Sequence, residues 1–188
     1  MDDSTELVKP DNITREEFLQ WRSPRQGKTN PQRMTNAVWE YLVKNRLDAY
    51  TANALFDGPS SLDAGPCWCF DRFGQSETLL PDGTTLFIGG EHEDFYDPDF
   101  YIYNDVILID KNGGIEILGY PADIFPPTDF HSATLAGNVI FIGSYHPGQT
   151  VYAAALDGRV FPLPAETFPP ATLKTFLTKS GDETAVCP

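Results

Sequence analysis

The chain has 188 residues, enough for one domain with its own core. Apolar residues make up 41%, an ordinary globular share that argues against wholesale disorder. Thirteen basic against 27 acidic residues leave a net charge of −14, which disfavours nucleic acid and anionic membrane surfaces and favours a basic partner, a cation or plain solubility.

Residues 1–12 are polar and charged and read as a flexible tail. The acidic start from Met1 to Glu6 lacks the basic flank of a secretory leader, so a cytoplasmic location is expected. Thr14-Arg15-Glu16-Glu17 is a capping box, with Ile13 and Phe18 at hydrophobic-staple positions, and it opens a helix. Arg22-Ser23-Pro24 stops that helix, because proline cannot continue it. A basic, turn-rich connector follows, with Arg22, Arg25, Lys28 and Arg33 as the one basic cluster.

Val38, Trp39, Leu42, Val43, Leu47, Tyr50 and Ala54 recur at spacings of three and four. They predict one helical region from about Asn36, a plausible N-cap, to Phe56. Asp57-Gly58-Pro59 ends it by turn chemistry. The cysteines, Cys67, Cys69 and Cys187, are odd in number, and Cys67 and Cys69 are too close to bridge without strain. Reduced thiols fit best, and no metal site or cofactor is read from them.

The period then changes. Strands are predicted over 75–80, 84–90, 101–110 and 115–118, with turns at Pro81-Asp82-Gly83 and Asn112-Gly113-Gly114. The order recurs as strands over 131–135, 139–144, 150–156 and 159–163, with turns at Ala136-Gly137-Asn138 and Asp157-Gly158 and a shorter loop over 145–149. Ser76-Glu77-Thr78-Leu79 parallels Ser132-Ala133-Thr134-Leu135, and Phe87-Ile88-Gly89-Gly90 parallels Phe141-Ile142-Gly143-Ser144. A four-stranded repeat of roughly 50 residues is a blade-like period.

These residues resemble kelch-repeat proteins. Gly89-Gly90 matches a diglycine after the second blade strand. Asn104-Asp105-Val106 with Asp110 matches a third-strand pattern, and His131-Ser132-Ala133-Thr134 a first strand. The stretch from Phe70 to Phe161 is similar to a bacterial kelch-type group. The implied fold is mainly β with N-terminal helices (α+β), carrying two kelch-like four-stranded antiparallel units as an incomplete propeller. Only two units are visible where closure usually takes four or more, the second has Gly143-Ser144 in place of two glycines, and neither has the fourth-strand tryptophan. The exposed edges of two blades call for cover, by the helices of residues 14–56, by Pro162, Pro164, Pro169 and Pro170, or by other copies of the chain. The organisation expected is tail 1–12, helical segment 13–62, β units 63–164 and extension 165–188.

The most unusual stretch is the inter-strand loop Glu91-His92-Glu93-Asp94-Phe95-Tyr96-Asp97-Pro98-Asp99-Phe100-Tyr101, with five carboxylates, a histidine and four aromatics. Loops between blade strands are where function sits, and the resemblance implies that they are presented to a protein partner. Aromatics ringed by charge suit a protein contact, and acids suit a basic one. The candidate partner-binding residues are therefore Glu91, His92, Glu93, Asp94, Phe95, Tyr96, Asp97, Asp99 and Phe100. The bland alternative has the aromatics folded onto the core and the acids solvated. A metal site is not expected, because Asp94, Asp97 and Asp99 break the calcium-loop pattern and His92 diverges from Glu91 and Glu93 on a strand.

Asp129, His131 and Ser132 suggest a triad, but alternation on a strand turns Ser132 away from the other two. No catalytic residue is assigned. The expected function is a non-enzymatic protein-binding module that binds neither nucleic acid nor membrane. The alternatives are a metal-dependent hydrolase drawing on His92, His131 or His146, and a homo-oligomer that completes a propeller.

Overall fold

The computed structural model describes residues 7–93, 96–143, 151–155 and 157–163. The predicted loop over 145–149, the extension 165–188, Pro164, His146 and Cys187 lie outside the described residues, as do Asp94 and Phe95 of the acidic loop. The described residues are mainly β, with four short helices and antiparallel sheets among them. It divides into two compact units. One gathers the described residues within 1–24, 36–72 and 92–101; the other gathers those within 25–35, 73–91 and 102–188.

The first unit is helical. Helix α1 (Arg15–Trp21) starts at the expected capping box: Glu17 N donates to Thr14 Oγ1 at 3.1 Å, and Thr14 N donates to Glu17 Oε2 at 2.8 Å. The staple residues Ile13 and Phe18 are both buried. The region expected as one helix over 36–56 is two, α2 (Ala37–Lys44) and α3 (Ala49–Leu55). Asn45 caps α2, Arg46 takes the left-handed conformation at φ 50°, and the Asp48 side chain accepts Thr51 N to restart the helix. The break turns Tyr50 and Ala54, which the periodicity placed in the core stripe, out to the surface. A single turn, α4 (Ser61–Ala64), follows.

The core of this unit is aromatic. Phe18 stacks on Phe56 with centroids 4.8 Å apart, and Trp39 stacks on Trp68 at 4.5 Å. Offset stacking adds to the area that these rings remove from water. Arg22, grouped by the sequence with the basic connector, is buried here. Its guanidinium donates to Asn53 Oδ1 (2.9 Å), Gly65 O (2.8 Å), Ala64 O (3.2 Å) and Ser61 Oγ (3.3 Å). The planar fork of donors satisfies the carbonyls that end α4, so the side chain serves the fold.

The second unit holds two sheets. Strand β1 (Gln32–Arg33) was not foreseen. It leaves the connector and pairs antiparallel with β7 (Ile115–Gly119), covering that sheet edge. The five-stranded sheet has the order β1-β7-β6-β3-β2, with β2 (Ser76–Leu79), β3 (Thr85–Ile88) and β6 (Val106–Ile109). The four-stranded sheet runs β11-β10-β9-β8, from β8 (Ser132–Ala136), β9 (Val139–Gly143), β10 (Val151–Ala155) and β11 (Val160–Leu163). Each sheet thus contains a four-stranded antiparallel meander.

The strand expected over 101–110 is interrupted. β5 (Tyr101–Ile102) pairs with β4 (Glu91–His92) in a separate ribbon, and only β6 joins the sheet. Between them the Asn104 amide is buried and donates to the carbonyls of Tyr120 and Phe125 at 3.0 and 2.8 Å, which pins the turn. The Gly89-Gly90 pair has a physical basis. Both residues have positive φ, and a Cβ on Gly89 would strike the Thr128 carbonyl oxygen. Gly90 N donates to that same carbonyl at 2.9 Å.

Ile88 and Ile142 share one core. Ile88 closes β3 and Ile142 lies in β9, and both are fully buried in one cluster with Leu86, Val106, Leu118, Tyr120, Phe125, Ile140 and Val160. The first strands are less alike. Ser76 opposes Ile88, whereas Ser132 opposes Gly143, one step further on. The cause is the turn: residues 80–84 close the first hairpin, and only Gly137 and Asn138 close the second. Leu79 is therefore exposed, while its sequence counterpart Leu135 packs on the core.

Candidate functional site

The acidic loop begins on β4 and returns on β5. Its residues do not all face solvent. His92 and Asp99 are each 6% exposed, Glu91, Glu93, Asp97 and Phe100 are half-buried, and Tyr96 is 70% exposed. Four candidates, His92, Glu93, Asp97 and Asp99, line a cleft of about 440 Å³ in the helical unit. Glu91 and Phe100 are not part of its wall.

The opposite wall comes from α3, α4 and the turn between them, including Tyr50, Ala54, Pro59 and Leu62. Tyr50 is 82% exposed and Leu62 66%, so apolar surface rims an acidic floor. Sequence periodicity missed this wall because it assigned Tyr50 and Ala54 to a core stripe. The available signal was the capping residue Asp48, which restarts the helix on a new face. No lysine or arginine lines the cleft among the described residues.

At the floor, His92 Nε2 lies 3.4 Å from Glu93 Oε1 and 3.8 Å from Asp99 Oδ2. On an uninterrupted strand, His92 and Glu93 would point to opposite faces. They converge because Glu93 takes φ 63°, a left-handed conformation that a residue with a Cβ rarely adopts. That turn removes the geometric objection to the two residues acting together.

The other sequence-level candidates fare differently. His131 Nε2 meets Ser76 Oγ at 2.8 Å, while Ser132 Oγ donates to Gly143 O at 2.9 Å. Asp129, His131 and Ser132 therefore form no relay. His131 Nδ1 is buried without a partner among the described residues, so no orienting group supports a Ser76–His131 dyad. Burial pushes the His131 pKa down to about 4, which keeps the ring neutral near pH 7. Burial also pushes the Cys67 thiol up to about 12, which makes it a poor nucleophile. The basic cluster is dispersed: Arg22 is built into the helical unit, and Arg33 pairs with Glu116 at 3.7 Å on the surface of the β unit.

No helix among the described residues is long and apolar enough to cross a membrane. No family model, curated protein or solved structure matches the chain.

Proposed function

We propose that the protein is a non-enzymatic binding module that uses the rim of this cleft to hold a basic segment of another protein. The observation that carries the proposal is an acidic floor rimmed by exposed Tyr50 and Leu62, with no lysine or arginine among the described residues of the lining, and with Tyr96 exposed on the loop that supplies the floor. A lysine or arginine stem can lie along the apolar rim while its charge meets Asp97. Arginine has the further option of stacking on an exposed tyrosine face. The overall charge of −14 steers such a partner toward the surface.

The proposal carries with it a kelch-like origin for the β unit. It draws support from two successive antiparallel meanders and from the glycine pair after a second strand. In that view the loop between second and third strands has been enlarged into the binding element.

The test is direct titration of an arginine-rich peptide and a glutamate-rich peptide of equal length. The arginine-rich peptide should bind, and its affinity should fall with added salt. Tyr96→Ala with Asp97→Asn should weaken it by about 10- to 100-fold, the effect of losing one anchor and one charge. Equal binding of both peptides, or no loss in the double variant, refutes the reading.

A further inference from the structure

We propose that His92, Glu93 and Asp99 form a binding site for one divalent transition-metal ion of the zinc class, at the floor of the cleft. One atom from each of the three side chains, an imidazole nitrogen or a carboxylate oxygen, lies within 4.8 Å of the other two. Three atoms so placed have a common centre no more than about 2.8 Å from each, and zinc ligands sit at roughly 2.0–2.2 Å. A contraction of under about 1 Å in side chains, with the backbone left in place, therefore closes the shell.

A second observation points the same way. His92 and Asp99 are more than nine-tenths buried, yet neither side chain makes a hydrogen bond to a described residue. The imidazole Nε2 lies 3.8 Å from Asp99 and 3.4 Å from Glu93. Both separations exceed a good N–H···O bond. Buried polar groups are normally paired, and a buried carboxylate without a donor is costly. An ion of charge +2 neutralises Glu93 and Asp99 together and uses the neutral imidazole as its third ligand.

The donor set narrows the metal. One imidazole with two carboxylates suits zinc, and iron or manganese after it, better than the oxygen-only shells of calcium and magnesium. Three protein ligands leave at least one coordination position open toward the cleft, and an oxygen or nitrogen donor from water or a small ligand fills it. The backbone agrees: the strained φ of Glu93 is what brings its carboxylate beside His92. Asp97 also lines the cleft but is not one of the three, so the site is separable from the basic-segment reading, which rests on the rim.

The experiment strips the full-length protein with chelator and titrates zinc by calorimetry, then cobalt by absorption spectroscopy. One equivalent should bind, with visible cobalt bands and without thiolate-to-metal charge transfer. Asp99→Asn and His92→Gln should each lower the affinity at least about 10-fold, while Glu16→Gln, at an exposed acid of α1 outside the cleft lining, leaves it unchanged. X-ray absorption on the zinc-loaded wild type should show a shell of nitrogen and oxygen with one imidazole, which keeps the test valid if a variant fails to fold. No binding tighter than about 100 μM, a thiolate band, or full affinity in Asp99→Asn overturns the proposal. Loss of peptide binding without loss of zinc sinks the rim reading alone, and the reverse result sinks this one alone.

Discussion

Replacing His131 by glutamine should flatten the loss of stability on mild acidification. The ring is held neutral by burial, with its pKa lowered from 6.5 to about 4, and the smaller opposing pull of Asp129 does not restore it. A group depressed on folding contributes stability that is complete above its unfolded value. That contribution fades as the pH falls from 6.5 toward 4, because the unfolded chain takes up the proton first. Two and a half units at about 1.4 kcal/mol each set a ceiling of roughly 3 kcal/mol. Between about pH 7 and about pH 4.5 the loss is on the order of 2 kcal/mol. Glutamine places an amide nitrogen near Nε2, so the contact with Ser76 survives in a side chain that does not titrate in this range. Urea unfolding of both proteins at the two pH values supplies the comparison. The wild type should lose about 2 kcal/mol more than His131→Gln over that interval. Parallel losses, or a His131 resonance titrating near its ordinary value, would refute the burial argument.

Two further substitutions probe the β unit. Gly89→Ala forces a Cβ against the Thr128 carbonyl at a positive φ and should cost about 2–4 kcal/mol in urea unfolding. A cost below about 0.5 kcal/mol would mean that the Gly89–Thr128 approach is loose. The Asn30 side chain both donates to Val160 O at 2.8 Å and accepts Val160 N at 2.9 Å, so it stands in for a missing strand. Asn30→Ala should cost about 1–3 kcal/mol by leaving both backbone groups unpaired, and faster exchange of the Val160 amide hydrogen should report it.

What could be read from the sequence was local. The capping box at Thr14 and the turns at Gly83, Gly113, Gly137 and Gly158 depend on residues within a few positions, and positive φ marks every one of those glycines. The recurrence of the Phe-Ile-Gly motif located two buried second strands, because Ile88 and Ile142 meet in one core.

What was missed needed tertiary information or a single backbone torsion. Arg22 looks like a solvated charge until carbonyls from residues 64 and 65 come to it across more than forty positions. The paired motifs at Ser76 and Ser132 hide a one-residue offset that only the unequal turns reveal. The strand expected over 101–110 breaks because Asn104 finds two carbonyl partners away from the ladder. At the site, alternation along a strand separates His92 from Glu93, and the left-handed torsion of Glu93 reunites them. The acidic loop was visible as composition; the cleft behind it was not, since part of its wall comes from α3, whose restart at Asp48 turns Tyr50 and Ala54 out of the core stripe.

Affinity capture from a native-host extract, run side by side with wild type and the Tyr96→Ala, Asp97→Asn variant, tests the central claim most directly. Quantitative mass spectrometry should find one or more proteins with basic segments enriched on the wild type and depleted at least about tenfold on the variant, with salt eluting them. An identical set of captured proteins on both baits would contradict the assignment of this loop as the recognition surface.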